Sequence, residues 1–334
     1  MKKPIFIFAL IVFLTASACG LPVKTRWLVE PTLTPAPLPQ VQNVVTLTPL
    51  SPATAVPTLE PTLEPTITPT SAPTEKVVPD GVINIMVLGS DWRPTSGHRT
   101  DVVMLVSVNT VRQTVSAVSF PRDLYIPVPG WETQRINTVE PHGGFELLAE
   151  TMDQNFGVRP DYYIMTDFQG FTGIINSLGG VDVYAGSRLA DQCDLPWRDG
   201  DGRCAIQSGR NTMDGATALW YIRSRHTSND LDRLRRQQEV MMGIFVKMMS
   251  MNAIQNLPGL FAQYQRSVKT NLTVQAITPL LPTAATVFSN RDLIRRYTLT
   301  IKEAQPFKTE TGAQVLLPDY ERIEAILDEA VFQQ

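Results

Sequence analysis

Ile83-Asn84-Ile85-Met86-Val87-Leu88-Gly89-Ser90-Asp91 carries an apolar run, Ile83 to Leu88, that ends abruptly at Gly, Ser and Asp. A short apolar run bounded by turn residues reads as a buried strand. Val102 to Val108 is a second such run, and Thr114 to Phe120 a third, with alternation. Helical spacing takes over from Phe145 to Phe156, with Gly157 as a stop. Tyr162–Met165 then reads as a strand, Phe168–Leu178 as a helix and Val181–Tyr184 as a strand. Asp214 is placed to cap a helix reaching Tyr221, and a long helix is predicted over Leu231–Met251. Helices over Leu257–Arg266 and Val274–Ser289, a strand over Tyr297–Ile301 and a helix after Asp319 complete the pattern. Strands alternating with helices predict an α/β fold with a central mixed sheet covered by helices on both faces.

Upstream the composition changes character. The chain has 334 residues and 26 Pro, and the Pro are concentrated between Pro31 and Thr74, in segments such as Pro57-Thr58-Leu59-Glu60-Pro61-Thr62. Such a stretch buries no core and favours extended conformations, so residues 20–78 are predicted to be a disordered stalk. Its Thr are candidate sugar sites. Before it, Lys2 and Lys3 precede the apolar run Ile5–Leu14, and Ala16-Ser17-Ala18 leads into Cys19. That order is a secretory signal over residues 1–19, and the apolar run is too short to span a bilayer comfortably. Cys19 stands at the lipidation position of a bacterial lipoprotein, although Ala16 occupies a place where Leu is usual. An uncleaved anchor and plain secretion are the alternatives. All three put residues 79–334 outside the cytoplasm, and the first two hold them at the membrane's outer face.

In that oxidising setting Cys193 and Cys204, flanking the turn-rich Asp194–Gly202, read as a local disulfide. Closing so short a loop stabilises by roughly 2–3 kcal/mol in the loop-entropy model. His98, His142 and His226 are scattered, which argues against zinc. The formal net charge of −3 provides no bulk field for nucleic acid. Anion binding must therefore come from local clusters.

Three clusters qualify. Asp91 follows the first strand and Asp101 opens the second, with Arg93 and Arg99 between them. If the strands are neighbours, two carboxylates meet at one sheet edge, a donor set suited to Mg²⁺ shared with substrate phosphates. The bland alternative is a pair of turn-capping Asp. Phe120-Pro121-Arg122-Asp123 ends the third strand, and there the alternative is a surface ion pair. Tyr221-Ile222-Arg223-Ser224-Arg225, Asp230 and Arg233-Leu234-Arg235-Arg236-Gln237 form the third. Arg223 and Arg225 would point the same way in an extended segment, and Arg233 and Arg236 share a helix face at i, i+3. Guanidinium forks match phosphate oxygens. A solvated basic face is the alternative, favoured for Arg235.

Asp91 through Asp101, Phe120–Asp123, Arg135-Ile136-Asn137, Asp167-Phe168 with Leu178-Gly179-Gly180-Val181, and Tyr221-x-Arg223-x-Arg225 through Gln237 together resemble the LytR-CpsA-Psr family, over residues 82–252. The resemblance implies an αβα sandwich. It also implies a phosphotransferase that moves a glycopolymer phosphate from a polyprenyl-pyrophosphate-linked glycan donor to a hydroxyl of peptidoglycan. It further implies that Asp91 and Asp101 hold Mg²⁺, that Arg99, Arg122, Arg223, Arg225 and Arg233 hold the pyrophosphate, and that Arg236 and Gln237 support them. Three departures stand out: Arg135 where Lys is common, Asp232 in place of a usual Gly, and the lipoprotein-like start. The base that takes the acceptor proton is not legible, with Asp123 and Asp230 as candidates. Met241, Met242, Met248, Met249 and Met251 either line a tunnel for the carrier's tail or pack the core. Two other functions use the same residues: a polyprenyl pyrophosphate hydrolase, and a non-catalytic module that binds polyanionic surface glycans.

Overall fold

A computed structural model describes residues 77–91, 97–225, 230–251, 257–265 and 267–333. The signal segment, Cys19, residues 20–76 of the stalk, Arg93, His226 and the Asp230 side chain lie outside the described residues, while Val78, assigned to the stalk, packs against the core. The chain begins with three long strands, β1 (Val82–Ser90), β2 (Thr100–Asn109) and β3 (Thr114–Phe120). Short strands β4 (Tyr125–Ile126) and β5 (Gln134–Arg135) pair with each other before helix α1 (Val139–Phe156). Next come β6 (Tyr162–Asp167), α2 (Phe168–Ser177), β7 (Val181–Ala185), β8 (Leu189–Gln192), β9 (Arg203–Ile206) and β10 (Gly209–Met213). Helices α3 (Gly215–Arg223), α4 (Asp230–Ser250) and α5 (Leu257–Tyr264) lead to β11 (Lys269–Thr270), α6 (Val274–Ile277) and α7 (Leu281–Ser289). The chain closes with β12 (Ile294–Thr298), a hairpin of β13 (Ala304–Lys308) and β14 (Gln314–Pro318), and α8 (Tyr320–Leu327).

Six strands form the central sheet in the order β11-β6-β1-β2-β3-β12. It is mixed: β1 runs parallel to β6 and β3 parallel to β12, while β1–β2, β2–β3 and β6–β11 are antiparallel. Successive side chains of a strand face opposite sides. On one side Met86, Leu88, Leu105, Val118 and Phe120 pack with Leu148 and Met152 of α1 and Ile323 and Leu327 of α8. On the other, Ile85, Val87, Met104, Val106 and Ala117 face Met241, Met242 and Phe245 of α4 and Val287 of α7. Helices on both faces make the αβα sandwich. Among the described residues no helix is long and apolar enough to cross a membrane.

Several element boundaries differ from those predicted, each for a local reason. The α1 segment starts at Val139 and bends at Gly144 (φ 72°, ψ −169°), so Phe145–Phe156 is its straight second part. It stops where Gly157 takes a left-handed φ of 66° and donates its N–H to Asp153 O at 2.8 Å, a conformation costly for a side chain bearing Cβ. The helix predicted over Val274–Ser289 is broken into α6, a 3-10 turn over Thr278–Leu280 and α7, because Pro279 and Pro282 supply no N–H for a continuous ladder. The strand predicted over Tyr297–Ile301 lies instead at Ile294–Thr298. Arg295 and Arg296 break its apolar pattern because it is the sheet's exposed edge. Val181–Tyr184 is a strand, but it pairs with β10 outside the central sheet. It lies under α4, where a Cβ on Gly243 would come within 2.7 Å of Asp182 O. Cys193 and Cys204 are joined by a disulfide, Cα–Cα 5.8 Å, across the β8–β9 hairpin.

Candidate active site

The directions of the strands bring the chemistry to one edge. Both β1 and β6 end there, with Ser90 opposite Asp167, and β2 starts there, with Thr100 opposite Ser90. Because β3 is antiparallel to β2, it also ends at this edge, and Arg122 follows it. Crevices beyond the carboxyl ends of strands are the usual ligand sites of α/β sheets. Here a cavity of about 200 Å³ is lined by Ser90, Asp101, Arg122, Asp167, Phe168, Arg223, Arg225, Arg233 and Gln237, with apolar walls that include Val87, Phe171, Val240 and Met241. Four Arg against two Asp leave a surplus of positive charge in the lining.

Each cation is positioned differently. Arg122 Nη1 lies 3.2 Å from Asp101 Oδ1, and its Nε lies 3.3 Å from Asp123 Oδ2. Asp123 is held in turn by Arg135 Nε at 3.5 Å, and Arg135 also donates to Gln314 O. Arg223 closes α3 and lays its guanidinium over Phe168, 4.3 Å from the ring centroid. Such stacking keeps the in-plane N–H donors directed at an anion. Arg225 follows α3 and is exposed, whereas Arg233 and Gln237, one helical turn apart on α4, are buried at 5% exposure each. Gln237 Oε1 is buried and has no hydrogen-bond partner among the described residues.

Asp101, Arg122, Arg223, Arg225, Arg233 and Gln237 thus converge on one cavity, and four other candidates stand outside its lining. Asp91 is buried beside it, its Oδ1 accepting the Arg99 N–H at 2.8 Å, and its own N–H donates to Arg99 O. The Arg99 side chain is exposed and away from the lining. Asp123 sits between Arg122 and Arg135, behind the lining, where it positions Arg122. Arg236 corrects the i, i+3 reading. It is 2% exposed, donates from Nε to Tyr221 O at 2.8 Å and from Nη2 to Ser224 O, and burial holds its proton affinity below the usual arginine range. Its guanidinium satisfies the carbonyls at the end of α3 rather than facing the cavity. Arg223 and Arg225 do not alternate along an extended segment as expected: Arg223 is the last residue of α3 and only Ser224 between them is extended, yet both line the cavity.

Arg235 does lie off the site: it pairs with Glu239 and with Asp232 at 3.7 Å, so the Asp232 charge is directed at Arg235. Glu239 also accepts from Tyr221 Oη at 2.7 Å and from Gly186 N at 3.0 Å. Burial first, then Glu239, pushes the Tyr221 hydroxyl well above the usual tyrosine range.

Two neighbouring spaces complete the site. Behind the cavity, Val87 and Met241 also line an apolar space of about 240 Å³ between the sheet and α4, with Met242, Phe245 and Val287. Of the five Met singled out, Met241 and Met242 line it, while Met248 packs on the core beneath α4 and Met251 is 43% exposed. In front, Ser90, Thr166 and Asp167 are shared with a polar groove of about 830 Å³. Asp167 N-caps α2 at this junction, its Oδ1 accepting from Gly170 N at 2.7 Å. His98 lines the groove with its Nε2 held at 2.7 Å by Glu140, a carboxylate 2% exposed that Lys269 Nζ approaches at 3.4 Å. Sequence spacing hid this group, because His98, Glu140 and Lys269 come from three separate segments. Among the described residues there is no cluster of three or more His, Cys, Asp or Glu able to hold a metal.

An αβα sandwich with an arginine-lined, apolar-backed cavity at its strand ends has the chemistry to take an anion that carries an apolar group. The chain belongs to the LytR_cpsA_psr family, which it matches over residues 64–330. It is 32% identical over 196 residues to the regulatory protein MsrR of Staphylococcus aureus strain COL, a match covering 58% of this chain and 57% of MsrR. It is 30% identical over 205 residues to TagT of Bacillus subtilis strain 168, a polyisoprenyl-teichoic acid–peptidoglycan teichoic acid transferase, covering 60% of this chain and 63% of TagT. The matches therefore span less than two thirds of either relative. The crystal structure of B. subtilis TagV superposes with a TM-score of 0.63 at 22% identity, covering 77% of this chain and 98% of that one, which establishes the shared fold.

Proposed function

We propose that this protein transfers a glycopolymer phosphate from a polyprenyl pyrophosphate carrier to a peptidoglycan hydroxyl, outside the cytoplasm and tethered to the membrane through lipidated Cys19 and the stalk. The observation that carries this reading is the juncture of two unlike spaces. An arginine-lined cavity suits a pyrophosphate, and the apolar space sharing Val87 and Met241 suits the isoprenoid tail attached to it. A diffusible anion such as ATP would have no use for the second. The transferase name of TagT points the same way.

In this reading Arg122, Arg223, Arg225 and Arg233 bind the pyrophosphate and spread its charge, so that the polyprenyl phosphate becomes a competent leaving group. Phe168 and Asp101 fix the guanidinium planes of Arg223 and Arg122. Asp101 in the lining and buried Asp91 beside it are hard oxygen donors that fit a Mg²⁺ completed by substrate phosphates and water. When bound, that ion would neutralise further phosphate charge. Gln237, with an unmet buried acceptor in the lining, supports a polar ligand there.

The test supplies a polyprenyl-pyrophosphate-linked glycan and peptidoglycan strands, with Mg²⁺ or with chelator. Covalent glycan on the strands in a Mg²⁺-dependent reaction is the expected result. Release of polyprenyl phosphate without transfer would make the protein a hydrolase, and Mg²⁺-independent glycan binding without turnover would make it a binding module.

A further inference from the structure

The polar groove in front of the cavity has no part in holding a pyrophosphate or its tail. It shares Ser90, Thr166 and Asp167 with the arginine-lined cavity and no lining residue with the apolar space, so a group lying in it adjoins the cavity without occupying the tail's place. Its floor includes Gly170 and Gly173 of α2, which expose helix backbone. Ser90, Thr166, Ser267 and Gln169 bring hydroxyls and an amide to the lining, Asp167 and Lys269 bring one charge of each sign, and Met165 and Val268 add apolar contact, a mixture that suits the hydroxyls and ring faces of a sugar.

From this arrangement we infer that the groove is the acceptor subsite, taking the sugar whose hydroxyl attacks, and that His98 is the base that receives its proton. The inference rests on the transfer reading above. The buried Glu140 accepts from His98 Nε2–H, which fixes the tautomer and leaves Nδ1 as the proton acceptor. In the step, the acceptor oxygen forms a bond to the glycan-bearing phosphorus while its proton passes to His98 Nδ1. The bond from that phosphorus to the bridging oxygen breaks, and its electron pair leaves with polyprenyl phosphate. The proton then passes to the leaving phosphate or to water. Glu140 is a positioning residue. The charged groups around the imidazole are Glu140 on α1, Lys269 on β11 and Asp167 at the start of α2.

Two variants of the full chain test this, with a polyprenyl-pyrophosphate-linked disaccharide as donor and soluble uncross-linked peptidoglycan oligosaccharide as acceptor. His98→Gln keeps an N–H for Glu140 and removes the base. Its kcat for transfer should fall about 100-fold, with donor binding and melting temperature unchanged. Gly173→Leu projects into the groove, since a Cβ there meets nothing within 4 Å. It should raise acceptor KM at least tenfold while donor affinity holds. Wild-type rates in both variants would overturn the subsite and leave the transferase reading standing. Loss of melting temperature or donor binding in His98→Gln would make the imidazole structural and overturn its role. A wild-type protein that binds or hydrolyses the donor without transfer would instead defeat the transfer reading, and this inference with it.

Discussion

At the scale of single residues the arginines divide into two kinds that sequence alone does not separate. Arg223 and Arg233 reach the cavity, while Arg236, three residues from Arg233, is spent on the carbonyls of Tyr221 and Ser224. Helical geometry puts residue 236 about 60° around the helix from 233 on one side and residue 237 about 40° on the other. Which side faces the ligand is decided by where α3 packs, and that lies beyond the reach of spacing. Paired substitutions expose the difference. Arg223→Lys and Arg225→Lys keep charge but lose the planar fork, and each unmet hydrogen bond to a charged group is worth roughly 1.5–3 kcal/mol. Transfer should fall on the order of 10- to 100-fold with the melting temperature unchanged. Arg236→Met should do the reverse in emphasis, because two buried carbonyls lose their donors at about 1–3 kcal/mol each and the fold melts several degrees earlier. Retained activity in both Lys variants would return Arg223 and Arg225 to a solvated basic face.

At the scale of elements, legibility followed the burial pattern. Strands β1, β2 and β3 sit at the centre of the sheet, so both faces or alternate faces are apolar and the signal is strong. The hairpins β8–β9 and β13–β14 are not legible in the sequence, because β8 and β9 are four residues each with Asp191 buried among them, and Gln305-Pro306-Phe307-Lys308 of β13 is exposed throughout. Asp214 and Asp319 were readable as caps from type and position alone, and their side chains accept from Thr217 N and Arg322 N. The cysteines are readable from compartment and turn chemistry, and the disulfide ties β8 to β9, none of whose residues lines the cavity. Cys193→Ser with Cys204→Ser should therefore loosen that hairpin alone. The expected outcome is faster amide exchange over Leu189–Ile206, a stability loss of at most about 2–3 kcal/mol, and transfer within twofold of wild type. A large loss of transfer would show that the hairpin shapes the site.

At the scale of the whole molecule, the sandwich places a polar, arginine-lined cavity and an apolar space side by side, as the proposed transfer requires. One face of the sheet is closed by α1 and α8 into a continuous core, whereas the other, under α4 and α7, leaves the apolar space behind the arginines. The strand-end edge joins that space to the cavity through Val87 and Met241. Ala117, at the middle of β3, lines the apolar space and not the cavity, so it offers a way to fill one without touching the other. Ala117→Phe places an aromatic ring on a strand, where it is conformationally favoured, and in a gap, where added apolar contact stabilises by about 0.5–2 kcal/mol. The folded protein should melt at the same temperature or higher. A long-chain polyprenyl donor loses its place for several isoprene units, each buried CH₂ being worth about 0.8 kcal/mol, so its kcat/KM should drop at least tenfold. A donor truncated to two isoprene units, with too little chain to fill that space, should react as with the wild type. If long and short donors suffer equally, the ring has disturbed the arginines instead. If neither suffers, the tail lies elsewhere and the space under α4 is an ordinary packing defect.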